Sequence, residues 1–267
     1  MKHYRYHQVK ASWLVRAVLL LVTYHLSLIT SSAQVGEYRS ELAVGGSAGY
    51  VLSSVGFIPE VPQGKLGGFT AGLTVRYTCE KYFNSVCAIV GEVNIAQTGW
   101  KEEIRDIDNQ PVYYEFDTGR TNPLAYERHM TYLQVPFLAR LGWGRERRGL
   151  QAFIQAGPQI GFFLSESTKS NLVAGAETQT QRSSSIVAQD TMSVQQKFDY
   201  GIVVGAGVEL SLPKMGHLMI EGRYYYGLGD FYKNSKRDYF GRSNLGQIVI
   251  KATYLFDLIK TKNPKIK

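Results

Sequence analysis

The chain has 267 residues, of which 44% are hydrophobic and 12% aromatic, with 30 Lys and Arg against 22 Asp and Glu. That length fits one large domain or two small ones, and eight prolines with moderate charge exclude wholesale disorder. Four of the basic residues and none of the acidic ones precede Gln34, so the remainder carries an excess of only four, too small to imply a nucleic-acid partner.

The first element in chain order is a leader. Lys2, Arg5, Lys10 and Arg16 run into an apolar stretch from Ala17 to Ile29, and the small residues Ser31 and Ala33 are placed for cleavage before Gln34. Residues 1–33 are therefore read as a secretory signal peptide. The apolar stretch is shorter than the ~20 residues a transmembrane helix needs. A barrel domain over 34–257 and a short basic periplasmic tail over 258–267 complete the predicted organisation.

Beyond Gln34 the dominant signal is a two-residue period. It is blurred by glycine in 41–52 and cleanest in 68–79. There Phe69, Ala71, Leu73, Val75 and Tyr77 share one face, and Thr70, Gly72, Thr74, Arg76 and Thr78 share the other. The pattern returns in 86–98, 131–143, 150–163, 199–212, 217–228 and 245–256. In 199–212, apolar residues from Tyr200 to Leu212 alternate with a face holding Asp199, Gly201, Val203, Gly205, Gly207, Glu209 and Ser211. A tilted strand crosses a bilayer in about 9–11 residues, and each predicted strand is long enough.

The connections are sorted. Short ones (80–86, 144–149, 213–216) alternate with long ones (53–66, 99–130, 165–197, 229–244). Lipid gives the backbone no hydrogen-bond partners, so only helices and closed sheets cross it. The expected fold is all-β, an eight-stranded antiparallel up-and-down transmembrane β-barrel with short periplasmic turns and long extracellular loops in the outer membrane. Its oily faces meet lipid and its polar faces meet the lumen. A soluble lipocalin-like barrel has the opposite polarity.

Arg76, Glu92, Arg140, Glu209, Glu221, Arg223 and Lys251 all fall on predicted inner faces. An unpaired buried charge costs several kcal/mol, so these seven are read as a lumen ion-pair plug, with an ion path or substrate site as the other reading. Eight strands leave a lumen just wide enough for side chains, and Gly201, Gly205 and Gly207 are expected to make room for bulkier neighbours. Phe69, Trp100 and Tyr226 are placed in an outer aromatic girdle, and Tyr77, Trp143, Tyr254 and Phe256 in an inner one.

Cys79 and Cys87, in an exported chain, form either a local disulfide or two reduced thiols, one of them facing lipid. His129 reads as a rim residue and His217 as a turn residue at the opposite end, so no catalytic, cofactor or metal residues are expected. Loop 99–130 mixes charged and aromatic residues, and loop 165–197 is rich in Ser, Thr and Gln. Both read as solvated loops or a binding surface, with PVYYEF and the residues around Met192 prolonging strands above the membrane.

Five stretches carry a resemblance: YLQVPFLARLGWG (132–144), FIQAGPQIGFFLSES (153–167), DYGIVVGAGVEL (199–210), LMIEGRYYYGLGDFY (218–232) and QIVIKATYLF (247–256). Together they resemble the PorT-like outer-membrane β-barrel family. The resemblance implies a barrel without catalytic residues. It also implies a structural or assembly role, with interactions through surface loops and with outer-membrane lipid, and an association with protein secretion machinery or other envelope proteins. The family's namesake is linked to type IX secretion and gliding in certain Gram-negative bacteria. A narrow passive pore or transport accessory is the alternative, and a lipid- or peptide-modifying surface enzyme built on His129 ranks third.

Overall fold

The structure, a computed structural model, describes residues 37–82, 84–105, 108, 110–113, 123–145, 149–170, 192–212, 215–234 and 240–260. The leader, the cleavage point before Gln34, most of loop 165–197 and the tail from 261 lie outside these residues. No described helix is long and apolar enough to cross a membrane.

Eight long strands form the wall: β1 (Glu37–Ile58), β3 (Leu66–Tyr82), β4 (Ser85–Glu103), β5 (Ala125–Gly144), β6 (Gly149–Ser170), β7 (Phe198–Leu212), β8 (Gly216–Asp230) and β9 (Arg242–Ile259). The two-residue β2 (Gln63–Gly64) adds a short rung on β4. Each long strand pairs antiparallel with its neighbour. The ring closes where β9 meets β1, from Leu42↔Ile259 to Ile58↔Arg242, and where β4 meets β5. All eight predicted strands are present, and all are longer than the alternation suggested. β1, the weakest in sequence, is among the longest at 22 residues. β9 runs past 257 to Ile259, so the wall takes in the start of the predicted tail.

The alternation becomes a wall with two faces. Leu73, Phe137, Ile154, Val204, Ile220 and Ile250 stand outward, each more than half exposed. Their neighbours in sequence point inward and are buried or half-buried. Among the described residues nothing covers these large apolar side chains, which is the surface expected of a barrel that lipid covers.

The lumen is layered. In the half nearer the short turns, Ala43, Phe153, Met219 and Leu255 form a small apolar cluster, with Glu209 level with Met219 and with His217 and Asp257 closer to the strand ends. Towards the long loops lies a large aromatic cluster, in which Val61, Val194, Phe231, Tyr232 and Phe240 fold in from the connections to meet Phe57, Trp100 and Tyr126 from the wall. Phe57 lies 5.3 Å from Trp100 and 4.7 Å from Phe240, and Trp100 stacks on Phe231 at 5.4 Å, all between ring centroids. Backbone bonds pin the connections. Gln195 and Gln196 N–H donate to the Phe231 carbonyl, and Gly241 N–H donates to that of Ile58.

Three expectations need correction here. Trp100 is not a girdle residue: it is completely buried in the aromatic cluster. It sits on the even-numbered face of β4 with Glu92 and Thr98, and the wall carries it inward. Second, loops 99–130 and 165–197 are partly strand, since β4 reaches Glu103, β5 starts at Ala125 and β6 reaches Ser170. Third, residues 192–197 are not in a strand, and 171–191 lie outside the described residues. Met192 packs against the aromatic cluster instead. Of PVYYEF, Pro111 forms an isolated bridge to Arg105, and residues 114–116 lie outside the described set.

The inward glycines of β7 lie where neighbours press closest. A Cβ on Gly207 would collide with the Ile220 carbonyl and the Phe153 ring, and one on Gly201 with the Tyr225 ring. Gly222, on the outward face, has nothing within 4 Å of its would-be Cβ. Gly207→Ala is therefore expected to destabilise the barrel by about 1–3 kcal/mol and Gly222→Ala by under about 0.5 kcal/mol. The temperature at which the folded electrophoretic band converts to the unfolded one should fall clearly only in the first variant.

Candidate functional site

The lumen holds the side chains with the richest chemistry. Strand parity brings them together, because a residue two positions along stays on the same face. Arg76 comes from β3, Glu92 from β4, Arg140 from β5, Glu209 from β7, Glu221 and Arg223 from β8, and Lys251 from β9. All seven are buried, none more than 7% exposed.

They form two groups. In the first, Glu92 accepts from both terminal nitrogens of Arg223 at 2.6 and 2.8 Å and from Lys251 Nζ at 2.6 Å. Arg223 also lies 2.7 Å from Glu221, and Lys251 lies 3.5 Å from it. Asn94 Nδ2 donates to Glu92 at 2.9 Å and Gln155 donates to Glu221. Two cations thus face two carboxylates, with amides filling the remaining acceptor positions.

In the second group, Glu209 accepts from Arg76 Nη1 at 2.6 Å and from Arg140. The Arg140 guanidinium sits 3.7 Å from the Phe153 ring centroid, a close cation–π contact. Two arginines share this one carboxylate, and two residues missing from the sequence-derived set join the group. His217 Nδ1 lies 2.6 Å from Glu209, and its Nε2 lies 2.9 Å from Asp257. Asp257 in turn meets Lys260 at 2.8 Å. His217 is thus not a turn residue: it is the second residue of β8 and bridges two carboxylates. Parity could have found both. His217 shares the face of Glu221, and Asp257 shares that of Lys251, one position past the end of the predicted strand.

Ser211 Oγ lies 3.0 Å from His217 Nδ1, so serine, histidine and aspartate stand in the order of a nucleophile relay. The arrangement cannot run one. Glu209 occupies the nitrogen that would have to take the serine proton, and Ser211 is buried. His129 stands alone at the far end, half-buried, with Nε2 3.8 Å from Glu127. Among the described residues, no three His, Cys, Asp or Glu side chains converge as a metal site. Cys79 and Cys87 are both free thiols in this structure. Thr78 pairs with Ala88 and Glu80 with Cys87, which leaves Cys79 as the extra residue at a bulge and offset from Cys87.

Comparison with known proteins follows the architecture. The outer membrane protein beta-barrel domain profile matches residues 32–233. The chain belongs to that family. Its wall accordingly spans the outer membrane, with short turns on the periplasmic side and long loops outside. No curated protein matches the chain by sequence. Among solved structures, it is similar to Ail, the attachment invasion locus protein of Yersinia pestis, in complex with the heparin analogue sucrose octasulfate. The two are 15% identical, with 81% of this chain and 99% of that one covered and a TM-score of 0.34. It is similar to Neisserial surface protein A at 11% identity, covering 80% and 97%, with a TM-score of 0.38. The outer membrane protein OprG of Pseudomonas aeruginosa is 12% identical, covering 83% and 98%, with a TM-score of 0.40.

Removing one partner from the Glu92 group should strand a buried charge. Glu92→Gln is expected to cost about 3–5 kcal/mol, because Arg223 and Lys251 both lose a carboxylate. The double variant Glu92→Gln/Lys251→Met, which removes one charge of each sign, should recover part of that loss. Urea unfolding in lipid vesicles, followed by tryptophan fluorescence, would show it, and a Glu92→Gln midpoint equal to wild type would contradict the assignment.

Proposed function

We propose that this protein is a sealed, non-enzymatic outer-membrane barrel that acts through its outer surface. Its task is structural, in assembly or in support of secretion, and it is delivered by a signal peptide cleaved before Gln34. The observation that carries the reading is the double filling of the lumen. An aromatic cap drawn from wall and loops lies over two ion-paired charge groups, and Arg140 of the second packs on the apolar cluster at Phe153 and Met219. The seven lumen charges act as a structural plug, since each is engaged by a partner across the barrel. A pore would need the cap and both charge groups out of the way at once.

Within the family, the strand motifs favour the PorT-like branch, and with it a place beside secretion machinery or other envelope proteins. The motif residues have structural tasks that fit this reading. Asp199 accepts the Tyr225 hydroxyl at 2.6 Å, and Gly201 leaves space for that ring. Arg223 of the RYYYGL stretch anchors the Glu92 group.

Purified barrel in a planar bilayer should stay electrically silent at neutral pH, and steady unitary openings would overturn the sealed reading. Amino-terminal sequencing of protein from outer membranes should begin at Gln34. Affinity capture of the intact membrane protein should recover envelope or secretion subunits, and recovery of the barrel alone would count against a role in their assembly.

A further inference from the structure

The two cysteines meet at the periplasmic end of the β3–β4 hairpin. From Thr70↔Ala96 to Thr78↔Ala88 the ladder keeps one register, in which the next pair along is Cys79 opposite Cys87. The strands depart from that register by a single residue. A bulge at Cys79 sets Glu80 opposite Cys87, followed by Lys81↔Val86 and Tyr82↔Ser85. In such a bulge two residues of one strand face one residue of the other, so Cys79 and Glu80 share Cys87 as their neighbour.

Both thiols belong to the outward side of the wall. Cys87 has the parity of Ile89, which is 38% exposed, and Cys79 has that of Val75, which is 42% exposed. The two cysteines are half-buried and line one apolar hollow with Ile89, Ala139 and Leu141. Cys79 Sγ makes a weak contact, at 3.7 Å, with the Tyr77 carbonyl.

Residues directly opposed in an antiparallel pair have Cα atoms about 4.5–5.5 Å apart, within the roughly 4.4–6.8 Å that a disulfide spans. Shifting the bulge out of the strand and into the turn therefore brings the sulfurs to bonding geometry. The ladder up to Thr78↔Ala88 need not move, because three pairs alone lie beyond the bulge. The turn faces the periplasm, an oxidising compartment.

We infer that Cys79 and Cys87 are a redox pair that sets the register of this hairpin end. Reduced, the strand is bulged and Glu80 opposes Cys87. Oxidised, the sulfurs are joined and Cys79 stands opposite Cys87. The two thiols give up two protons and two electrons to the disulfide of a thiol oxidase, so one S–S bond forms as another breaks and the oxidase leaves as a dithiol. The slip has a second effect, because direct partners share a face and a one-residue shift reverses it. Glu80 leaves the outward side, pairs with Val86 and turns to the lumen. Lys81 pairs with Ser85 and turns out toward the lipid headgroups.

The test uses the full mature protein, taken from outer membranes without reductant and blocked with N-ethylmaleimide during lysis. Mass spectrometry should show the peptide with both cysteines free of maleimide and lighter than its reduced form by two hydrogens. Two maleimide adducts would overturn the inference, and so would either sulfur bonded to another molecule. NMR in detergent micelles reads the register. Cross-strand proton contacts should join Cys79 to Cys87 and Glu80 to Val86 in the oxidised protein, and Glu80 to Cys87 after reduction with a phosphine. A Glu80–Cys87 contact that persists in the oxidised protein would sink the register change. Cys79→Ser should keep the reduced register with and without oxidant, and a register in that variant that still followed the oxidant would count against the pair. These outcomes are independent of whether the barrel conducts.

Discussion

Closure of the sheet is the constraint from which the rest of this molecule follows. In a bilayer, every backbone N–H and C=O in the wall must find a partner within the wall. The β1–β9 seam meets that demand along nearly the whole of β1, and β1 is one of the least apolar strands in the chain. Ser47, Gly49 and Ser53 sit on its inner side and Gly46, Ala48 and Gly56 among its outer positions. Such a strand has little side-chain reason to be long. Its length comes from its partners, since β9 and β3 each need a neighbour along their full height.

Once the sheet is closed at eight strands, the lumen has to be filled, and the side chains must fit both in size and in charge. Size is handled across pairs of strands. Gly205 stands beside Arg223, and Gly207 beside Phe153 and Glu221, so the glycines of β7 admit the bulk of β6 and β8. Pro136 and Pro158 show the same accommodation in the backbone. The β5–β6 ladder runs to Pro136↔Gln159 and resumes at Ala139↔Ala156. It pauses beside Pro158, which has no N–H to give. Charge is handled by bringing carboxylates from β4, β7 and β8 to arginines and a lysine from β3, β5, β8 and β9, while Asp257 of β9 meets His217 of β8. Every member of the set contacts a strand other than its own, so the ion pairs brace the cylinder across its width as well as neutralising it.

Most of the wall was legible because a period of two is a strong signal when one face is oil and the other is not. Parity alone placed all seven lumen charges on the inner face, since lipid punishes a misplaced charge. The failures occurred where the reading left parity behind. Trp100 was assigned by residue type to a girdle, although its even number already put it with Glu92. His217 was assigned by its glycine neighbour to a turn, although it lies on the face of Glu221 and Arg223. Asp257 lies one residue beyond the end of the 245–256 alternation. Strand ends above the membrane were not legible at all. Water satisfies the backbone there, the two-sided pattern fades, and Ser165–Lys169 reads as loop whether or not it is paired. The inward fold of Phe231 and Tyr232 depends on contacts between distant connections, and no local pattern encodes those.

The two ends of the cylinder answer to different demands, and this explains why the outer one carries the irregular features. On the periplasmic side, glycines with positive φ at 144, 149 and 216 let the chain reverse in a few residues, so each strand is tied at once to the next. Paired strands there must end together, which leaves no edge and little surface to vary. On the outer side the long connections remove that requirement. One strand can outrun its neighbour, as β6 outruns β7, without breaking the closure that the membrane enforces lower down. The connections are equally free to fold back, and Phe231, Tyr232 and Phe240 do so. Excess chain at the outer end is thus used in two ways, as a stopper turned into the lumen and as a sheet raised above the lipid.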